Sequence, residues 1–414
     1  STPRIIKIKV SGTEKWVAVL GGGYNGATNP DYGSAVFVVD IENEGKLLKK
    51  IDITDTMTTN YTWSIPNLSS NHSTLRPHAN MRWDVRGTGN FSDMCYDTSK
   101  GETMTHSFSP SVSYQVFYHN SGTKYCVDYV TFNSAWPKAP GLPYTSGNVV
   151  FKKQANEIVN SLPADLRVIT ANGTDKADYI GAMVYASDLE GKITKINLTD
   201  VGTLYDTTTF FNVEATSANG RYLYKSPEAT FNNDGKLWLY FGTGNTQKLQ
   251  EQSNSIQNRL YGIKDINFPN FVKLNSPGTV SQCKTSPTCP SGTDLGWYVN
   301  LQKAQKLTAE PSVDKDRVYF PIYEPSPASN KCGVGTAILK AYDTKCGNSV
   351  LNVKLGKGVL SKVVIQDDNL YIGLAGEADK NISGFTSKDN LLTGKSKAKS
   401  TSGSVQIESW KENY

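Results

Sequence analysis

Histidines are the residues of this sequence with the widest chemical repertoire, because they can bind zinc or transfer protons. No two of them have the HxxxH or HExxH spacing that places two zinc ligands on one helix face. No nucleophile elbow, no Ser/His/Asp set in a plausible frame and no paired carboxylates at matched repeat positions accompany them. We therefore expect surface and core positions for the histidines, and no enzyme active site. The histidines are His72, His78, His106 and His119.

Acidic turns and a glycine-rich loop are the other segments that could bind ligands. The "NNDGK" segment, residues 232–236, contains the Asp-Gly pair that is typical of a hairpin turn between two strands, so we favour a hairpin over a metal site. The "GGGYNG" segment, residues 21–26, is not followed by a helical pattern, so it does not indicate a dinucleotide-binding loop.

Six cysteines form three pairs whose members are close in sequence, and none has CxxC spacing. Six cysteines allow many connectivities, and pairing between neighbours is the simplest. We expect three local disulfides and hence an oxidising, extracytoplasmic compartment. The last pair flanks a predicted strand, and a bridge across it would add about 2–4 kcal/mol of stability. The pairs are Cys95 with Cys126, Cys283 with Cys289, and Cys332 with Cys346.

The elements that position these residues are short strands in a repeated unit. A strand, an Asp/Gly turn and a second strand recur, as in "VYASDLEGKITKINL", where Gly191 supplies the turn conformation and Asp188 bonds to local amides. Three copies follow another strand with a Gly-rich or Pro-rich connection, and an unpaired relative occupies residues 370–377. Such repetition predicts an all-β fold, a modified β-propeller of about seven blades formed by the whole chain, 1–414. The copies are residues 36–53, 184–198, 259–274 and 338–355.

Composition agrees with a β-rich, loop-rich protein and excludes several functions. The 414 residues include 35 Gly and 22 Tyr, and 20% of the residues are charged. No run approaches the roughly 18 apolar residues that would span a bilayer. The net charge of +5 is mild, and the lysines at 388, 395, 397 and 399 are typical of a solvated tail, so no nucleic-acid partner is indicated.

Residues 54–150 break the repeat and predict an insertion in an early blade. They contain all four histidines, four of the five methionines and three tryptophans. Aromatic residues and methionine are enriched in protein interfaces, so we expect Trp63, Trp83 and Trp136 to bind a partner. The alternative is a satellite core for the insertion itself, held by Cys95 and Cys126. A second irregular excursion covers residues 276–295.

An ordered set of motifs resembles the C-terminal domain of the PilY/PilC family of type IV pilus tip-associated proteins. The motifs include "VAVLGGGYNG", "VYASDLEGKITKINL", "YKSPEATFNNDGKLWLYFGTGN", "RLYGIKD" and the terminal "IESWKENY", and they span most of the chain outside the insertion. The resemblance implies a non-enzymatic, extracellular protein of the cell surface and pilus tip that acts in pilus assembly, retraction control and adhesion. The implied partners are minor pilins and, for adhesion, a host or abiotic surface. The family's longer members carry an N-terminal region, so we expect this chain to be either an excised C-terminal domain or a short relative.

The same resemblance implies a calcium loop in the stretch "TANGTDKADY", residues 170–179. Calcium requires six to eight oxygen ligands, which alternating acidic residues of such a loop supply. Asn172, Thr174 and Asp178 are the candidates, but threonines replace two of the expected acids. Calcium is therefore the one candidate cofactor, and a plain polar turn is the alternative.

The enzymatic alternative is a quinone-dependent oxidoreductase, whose propeller blades share the strand, turn and strand unit. Many such enzymes have a disulfide between adjacent cysteines over the cofactor. This sequence has no adjacent cysteines.

Overall fold

The protein consists of β-strands and connecting loops throughout the part of the chain that the structure describes, with no helix. This computed structural model describes residues 2–24, 33–53, 161–170, 180–232, 235–274, 295–302, 304–330 and 332–398, and the strand backbones at 56–59, 94–97, 118–121, 124–127, 149–152 and 281–282. The chain divides into two compact units. Unit 1 is Ser1–Ile53 with Asn156–Tyr414, and unit 2 is Thr54–Ala155.

The first sheet of unit 1 is a four-stranded antiparallel meander. Ser11 and Gly12 form its first turn, and both have positive φ (51° and 82°), as tight hairpin turns require. Gly45, also at positive φ, lies in the turn before the last strand, as the first copy of the repeat predicts. The strands are β1 (Arg4–Val10), β2 (Thr13–Gly21), β3 (Ala35–Asp40) and β4 (Lys46–Asp52).

The described strands of unit 2 form two small antiparallel sheets. One pairs β5 with β9, and the other has the order β6-β8-β7. Cys95 on β6 lies directly opposite Cys126 on β8 in the strand register. This register is compatible with a disulfide between the two cysteines, which stays a prediction. The strands are β5 (Thr56–Thr59), β6 (Met94–Asp97), β7 (Tyr118–Ser121), β8 (Lys124–Val127) and β9 (Val149–Lys152).

The second and third sheets of unit 1 have four and five strands. The second is β10 (Arg167–Thr170), β11 (Ala182–Ser187), β12 (Lys192–Asn197) and β13 (Thr207–Asn212). The third is β14 (Glu228–Phe231), β15 (Leu237–Gly242), β16 (Arg259–Asp265), β17 (Ser281–Gln282) and β18 (Gly296–Asn300). All their pairings are antiparallel except that of β17 with β18.

The last sheet has nine strands and divides into two halves. The long strand β23 joins the halves, because its final residues pair with β25. The first half is β19 (Lys306–Leu307), β20 (Ser312–Asp314), β21 (Arg317–Glu324), β22 (Thr336–Asp343) and β23 (Ser349–Leu360). The second half is β24 (Val364–Gln366), β25 (Asn369–Ala378), β26 (Phe385–Lys388) and β27 (Leu391–Lys395).

The described residues of unit 1 form four hydrophobic core clusters arranged in series. Each cluster joins one sheet, or one half of the last sheet, to the next one along the chain. None of the described sheets closes on itself, and the count of about seven blades is not confirmed. Each cluster contains residues from two sheets, for example Val38 with Ile196, Ile193 with Leu239, Trp238 with Phe320, and Leu339 with Ile372.

Two parts of the predicted repeat differ from the structure. In the third copy, residues 266–274 form no strand, and β18 from beyond the excursion pairs with β16 instead. The reason is local: the Asp265 carboxylate accepts the Asn267 and Phe268 amides, and Pro269 has no N–H to donate to a ladder. The segment at 370–377 is not unpaired, because β25 pairs with β23, β24 and β27.

Candidate functional site

The connections at one end of the unit 1 sheets contact one another in series and form a continuous loop surface. The β2–β3 connection contacts the β13–β14 connection through Tyr24 and Tyr224, whose ring centroids are 6.2 Å apart. The β13–β14 connection then meets the β15–β16 connection, where the Gly244 amide donates to the Tyr222 carbonyl at 3.0 Å. Because the strands are committed to the inter-sheet cores, these loops are the part of unit 1 that is free to recognise another molecule.

Gln250 extends this loop surface to the β21–β22 connection. Its Nε2 donates to the Tyr323 hydroxyl at 2.7 Å and to the Gly333 carbonyl at 2.6 Å. Its Oε1 accepts the Ser326 amide at 3.0 Å. A single amide side chain thus fixes the β15–β16 connection and the β21–β22 connection relative to each other.

Four charged residues meet where the first strands of successive sheets begin. Lys362 Nζ lies 2.8 Å from Glu228 Oε2 and 3.2 Å from Glu310 Oε2. Arg167 Nη2 lies 3.3 Å from the same Glu228 oxygen, and its Nε donates to the Pro227 carbonyl at 2.7 Å. The two carboxylates are matched by two cations, so this ion cluster stabilises the junction of the sheets and is not an open metal site.

Lys306 is a buried cation held by backbone carbonyls of the loop surface. Its side chain is 1% exposed, and Nζ donates to the carbonyls of Leu249 (3.0 Å), Glu251 (2.7 Å) and Ala304 (3.2 Å). Burial lowers the pKa of Lys306 from 10.5 to about 8, and the nearby Glu251 charge opposes part of that change. The ammonium therefore fixes two connections at the cost of losing its hydration.

We expect the stability of the protein to rise as the pH increases from 8 to 10.5, relative to a Lys306→Met variant. Between these two pKa values the unfolded chain binds more protons at Lys306 than the folded chain, so raising the pH favours the folded state. Urea unfolding of both proteins at several pH values between roughly 7 and 10 measures the difference in their free energies of unfolding. Lys248→Met, which changes an exposed lysine of the same loop, should follow the wild-type profile. Parallel profiles for wild type and Lys306→Met would contradict the expectation.

Aspartates at the ends of four strands occupy the turn positions that the repeat predicts. Asp188 Oδ1 accepts the Lys192 amide at 2.9 Å, and Gly191 has φ of 80°, so both predicted turn roles are confirmed. Asp40 and Asp343 likewise accept amides two residues ahead. These aspartates form local turns.

Two of these aspartates also face a buried lysine: Lys192 Nζ lies 3.8 Å from Asp188 Oδ2, and Asp265 makes a closer contact. Lys195 Nζ lies 2.6 Å from Asp265 Oδ2, and the Tyr185 hydroxyl donates to the same oxygen at 2.5 Å. All three side chains are at most 2% exposed. Burial raises the pKa of the Tyr185 hydroxyl, with the Asp265 charge adding to the rise. Burial lowers the pKa of Lys195, and Asp265 opposes that change. This buried trio joins the second and third sheets.

Of the remaining predicted sites, one is confirmed and the others lie outside the described residues. The "NNDGK" segment is a hairpin: β14 and β15 pair on either side of it, and Gly235 has φ of 69°. Among the described residues no group of three or more His, Cys, Asp or Glu side chains could hold a metal ion. The calcium candidates and the predicted partner-binding tryptophans lie outside the described residues. They are Asn172, Thr174 and Asp178, and Trp63, Trp83 and Trp136.

The predicted disulfide between Cys332 and Cys346 is wrong. Cys332 is a free, exposed thiol, whereas Cys346 is disulfide-bonded. The two cysteines lie at opposite ends of the eight-residue strand β22. An extended strand of this length separates its ends by roughly 26 Å, far beyond the reach of a disulfide.

The other two predicted pairs, Cys95 with Cys126 and Cys283 with Cys289, stay predictions, because the side chains of these four cysteines lie outside the described residues. With Cys332 free, five of the six cysteines remain, an odd number.

We expect the unreduced protein to contain at least two free thiols, one of them Cys332, because an odd number of cysteines is left after it. Alkylation under denaturing, non-reducing conditions followed by mass spectrometry measures the number and their positions. Three local disulfides would leave no thiol to alkylate. That result would contradict the arrangement described here.

The ion cluster was not anticipated, although the sequence carries a signal for it. Glu228 in "SPEATF" and Glu310 in "TAEPSV" each lie beside a proline at the start of a short strand that leads through a turn to the next strand. A glutamate at the same place beside the start of a short strand in two sheets indicates that the two side chains occupy equivalent positions. Arg167 and Lys362 have no comparable signal.

Comparisons with known proteins give only distant structural likenesses. No protein-family model and no curated protein matches the sequence. The chain is similar to the C-terminal domain of Pseudomonas aeruginosa PilY1, with 12% identity and a TM-score of 0.41 over 96% of this chain and 84% of that one. It is similar to a chain in the complex of BBS1N with ARL6DN, with 7% identity and a TM-score of 0.28 over 96% and 80%. It is also similar to Trypanosoma rangeli sialidase, with 11% identity and a TM-score of 0.19 over 95% and 53%. We derive neither mechanism nor ligand from these low values.

Proposed function

We propose that this chain is a non-enzymatic surface protein of the type IV pilus machinery that acts at the pilus tip in assembly, retraction control and adhesion. The observation that carries the proposal is the ordered set of motifs from "VAVLGGGYNG" to "IESWKENY" that resembles the PilY/PilC C-terminal domain. A location outside the cell follows from that role.

Two features of unit 1 support a binding role. Its strands are occupied in the inter-sheet cores, while its connections meet in one loop surface held by Gln250 and Lys306. We propose that the stacked sheets belong to a modified β-propeller, a fold that presents its loops to partners. No helix of the described residues has the length and apolar character to cross a lipid bilayer.

Capture of minor pilins by the purified chain, and loss of pili or adhesion on deletion of its gene, are the expected results. Normal piliation together with normal adhesion in a clean deletion strain would overturn the proposal. An absorbance spectrum of the purified protein tests the enzymatic alternative, because a quinone-dependent oxidoreductase would carry a chromophore.

We further propose that unit 2 carries the contact surface specific to this protein, through Trp63, Trp83 and Trp136. Aromatic side chains in a polar, glycine-rich segment are typical of interface anchors. Replacing residues 54–155 with a short Gly/Ser linker should abolish capture of the pilus partner while unit 1 remains folded. Unchanged affinity of the trimmed protein would show that these tryptophans belong to a satellite core or another role.

A further inference from the structure

Two arginines of the loop surface lie close together with no carboxylate to neutralise them. Arg221 belongs to the β13–β14 connection, and Arg259 is the first residue of β16. Arg221 Nε donates to the Gln257 carbonyl at 2.9 Å, and Arg259 Nε donates to the Asn300 side-chain oxygen at 3.0 Å. Neither has an ion-pair partner among the described residues. Each guanidinium is therefore fixed through Nε, and the Arg259 side chain also lies within hydrogen-bonding range of the Tyr261 hydroxyl.

The positive charge of this arginine pair is not cancelled by its surroundings. Desolvation, and then the neighbouring Arg259 charge, lower the pKa of Arg221. The exposed Glu214 acts on Arg221 electrostatically but is not in ion-pair contact with it. The contrast with Arg167 is clear, because Glu228 contacts that guanidinium directly.

Tyr261 adds a buried hydroxyl that is directed at the same two arginines. The side chain is 1% exposed, and its hydroxyl lacks a hydrogen bond of good geometry in the described part of the chain. Burial raises the pKa of the Tyr261 hydroxyl, while the Arg259 charge, a hydrogen-bonding contact from the Arg259 side chain and the Arg221 charge oppose the rise. A buried hydroxyl that is not fully satisfied is uncommon in proteins and can take a ligand atom as its partner.

Aromatic rings hold this arrangement in place. Arg259 lies over the Tyr298 ring, with Cζ 4.3 Å from its centroid. The Tyr261 and Tyr298 side chains face each other across β16 and β18 at 6.0 Å, and Phe241 stacks on Tyr261 at 5.0 Å. The site is thus rigid before any ligand binds, which lowers the entropic cost of binding.

We propose that Arg221, Arg259 and the Tyr261 hydroxyl form a binding site for a carboxylate group presented by an acidic partner polypeptide. Guanidinium groups pair with carboxylates through parallel, charge-assisted hydrogen bonds. Tyr222 and Tyr224, beside Arg221 in the chain, and the half-exposed Tyr24 provide amphipathic contact area of the kind that protein interfaces use. That area favours a polypeptide over a free small anion. The site stands on this geometry and does not depend on the proposed pilus role.

Fluorescence polarisation with a labelled glutamate-rich peptide tests the site, with the glutamine counterpart of that peptide and inorganic phosphate as comparison probes. Wild-type protein should bind the glutamate peptide and not the glutamine peptide. Arg259→Gln or Arg221→Gln should weaken binding roughly tenfold or more, because each removes charge-assisted hydrogen bonds. Lys264→Gln removes one positive charge from the same strand and should leave the affinity unchanged.

Tyr261→Phe separates binding from folding. It removes only the poorly satisfied hydroxyl, so the melting temperature should change little while the affinity falls several-fold. Equal binding of both peptides, no binding, an equal effect of Lys264→Gln, or unchanged affinity of Tyr261→Phe would overturn the assignment. Binding of phosphate without the glutamate peptide would overturn it as well. The assay contains no pilus protein, so failure to capture minor pilins would count against the proposed function alone.

Discussion

Replacing Asp265 by alanine is expected to lower the free energy of unfolding by about 3–5 kcal/mol. The change removes the carboxylate that contacts Lys195 among the described residues, and the ammonium would remain buried beside the Tyr185 hydroxyl. The ammonium would keep its hydrogen bond to the Asn270 carbonyl at 2.9 Å, but one carbonyl dipole does not replace the lost negative charge. Chemical denaturation followed by tryptophan fluorescence measures the loss.

Asp343→Ala is the matched control for the Asp265 prediction. Asp343 also accepts two turn amides, from Lys345 and Cys346, but it neutralises no buried cation. Its loss should therefore be smaller, about 1–3 kcal/mol. Adding Lys195→Met to Asp265→Ala should restore part of the stability, because the unpaired charge is then gone. A double variant that is less stable than Asp265→Ala would contradict this role of the trio. Asp265→Asn serves if the alanine variant does not fold.

Gly347→Ala is the second large effect that we expect, about 2–5 kcal/mol of lost stability from two causes. Gly347 has φ of 70°, a conformation that L-residues adopt at a cost. A Cβ atom there would also lie 2.6 Å from the Trp297 ring. That ring cannot move away easily, because its Nε1 donates to the Thr344 carbonyl at 3.0 Å and it contacts Tyr240 and Tyr342.

Gly12→Ala isolates the backbone part of that loss. Gly12 has φ of 82°, but a Cβ there would have no atom within 4 Å. This variant should therefore lose about 1 kcal/mol. Thermal or urea unfolding of the two variants side by side gives the difference that is due to Trp297. Equal losses would mean that the third and last sheets tolerate a methyl group beside the ring.

Local turn chemistry explains which parts of this fold could be predicted from the sequence. Asp188 and Gly191 act within five residues of each other, so their types and spacing predict the turn directly. The same holds for the hairpin around Gly235. In the third repeat the local turn at Asp265 and Pro269 prevents a strand at 266–274, but the strand that pairs with β16 instead comes from beyond an irregular excursion, which no local pattern predicts.

Contacts between distant segments were beyond the sequence pattern for the same reason. Asp265 appears as a turn residue, yet its energetic role depends on Tyr185, 80 residues away. Arg221 and Arg259 belong to separate connections, and nothing in either local pattern relates them. For Cys332 and Cys346 the error is the opposite one. They are close in sequence, but the extended strand β22 between them holds them far apart in space.

The pairing of β5 with β9 has an evolutionary consequence. These strands lie at the two ends of unit 2, and their register, from Thr56 opposite Lys152 to Thr59 opposite Val149, brings the entry and the exit of the segment side by side. A segment with adjoining ends can be exchanged as a cassette, because its replacement need only bridge a short gap. Lengthening such a cassette is also cheap, since each doubling of a loop adds only about 0.6 kcal/mol of closure entropy. Relatives that keep the repeated sheets could therefore diversify rapidly between residues 53 and 156.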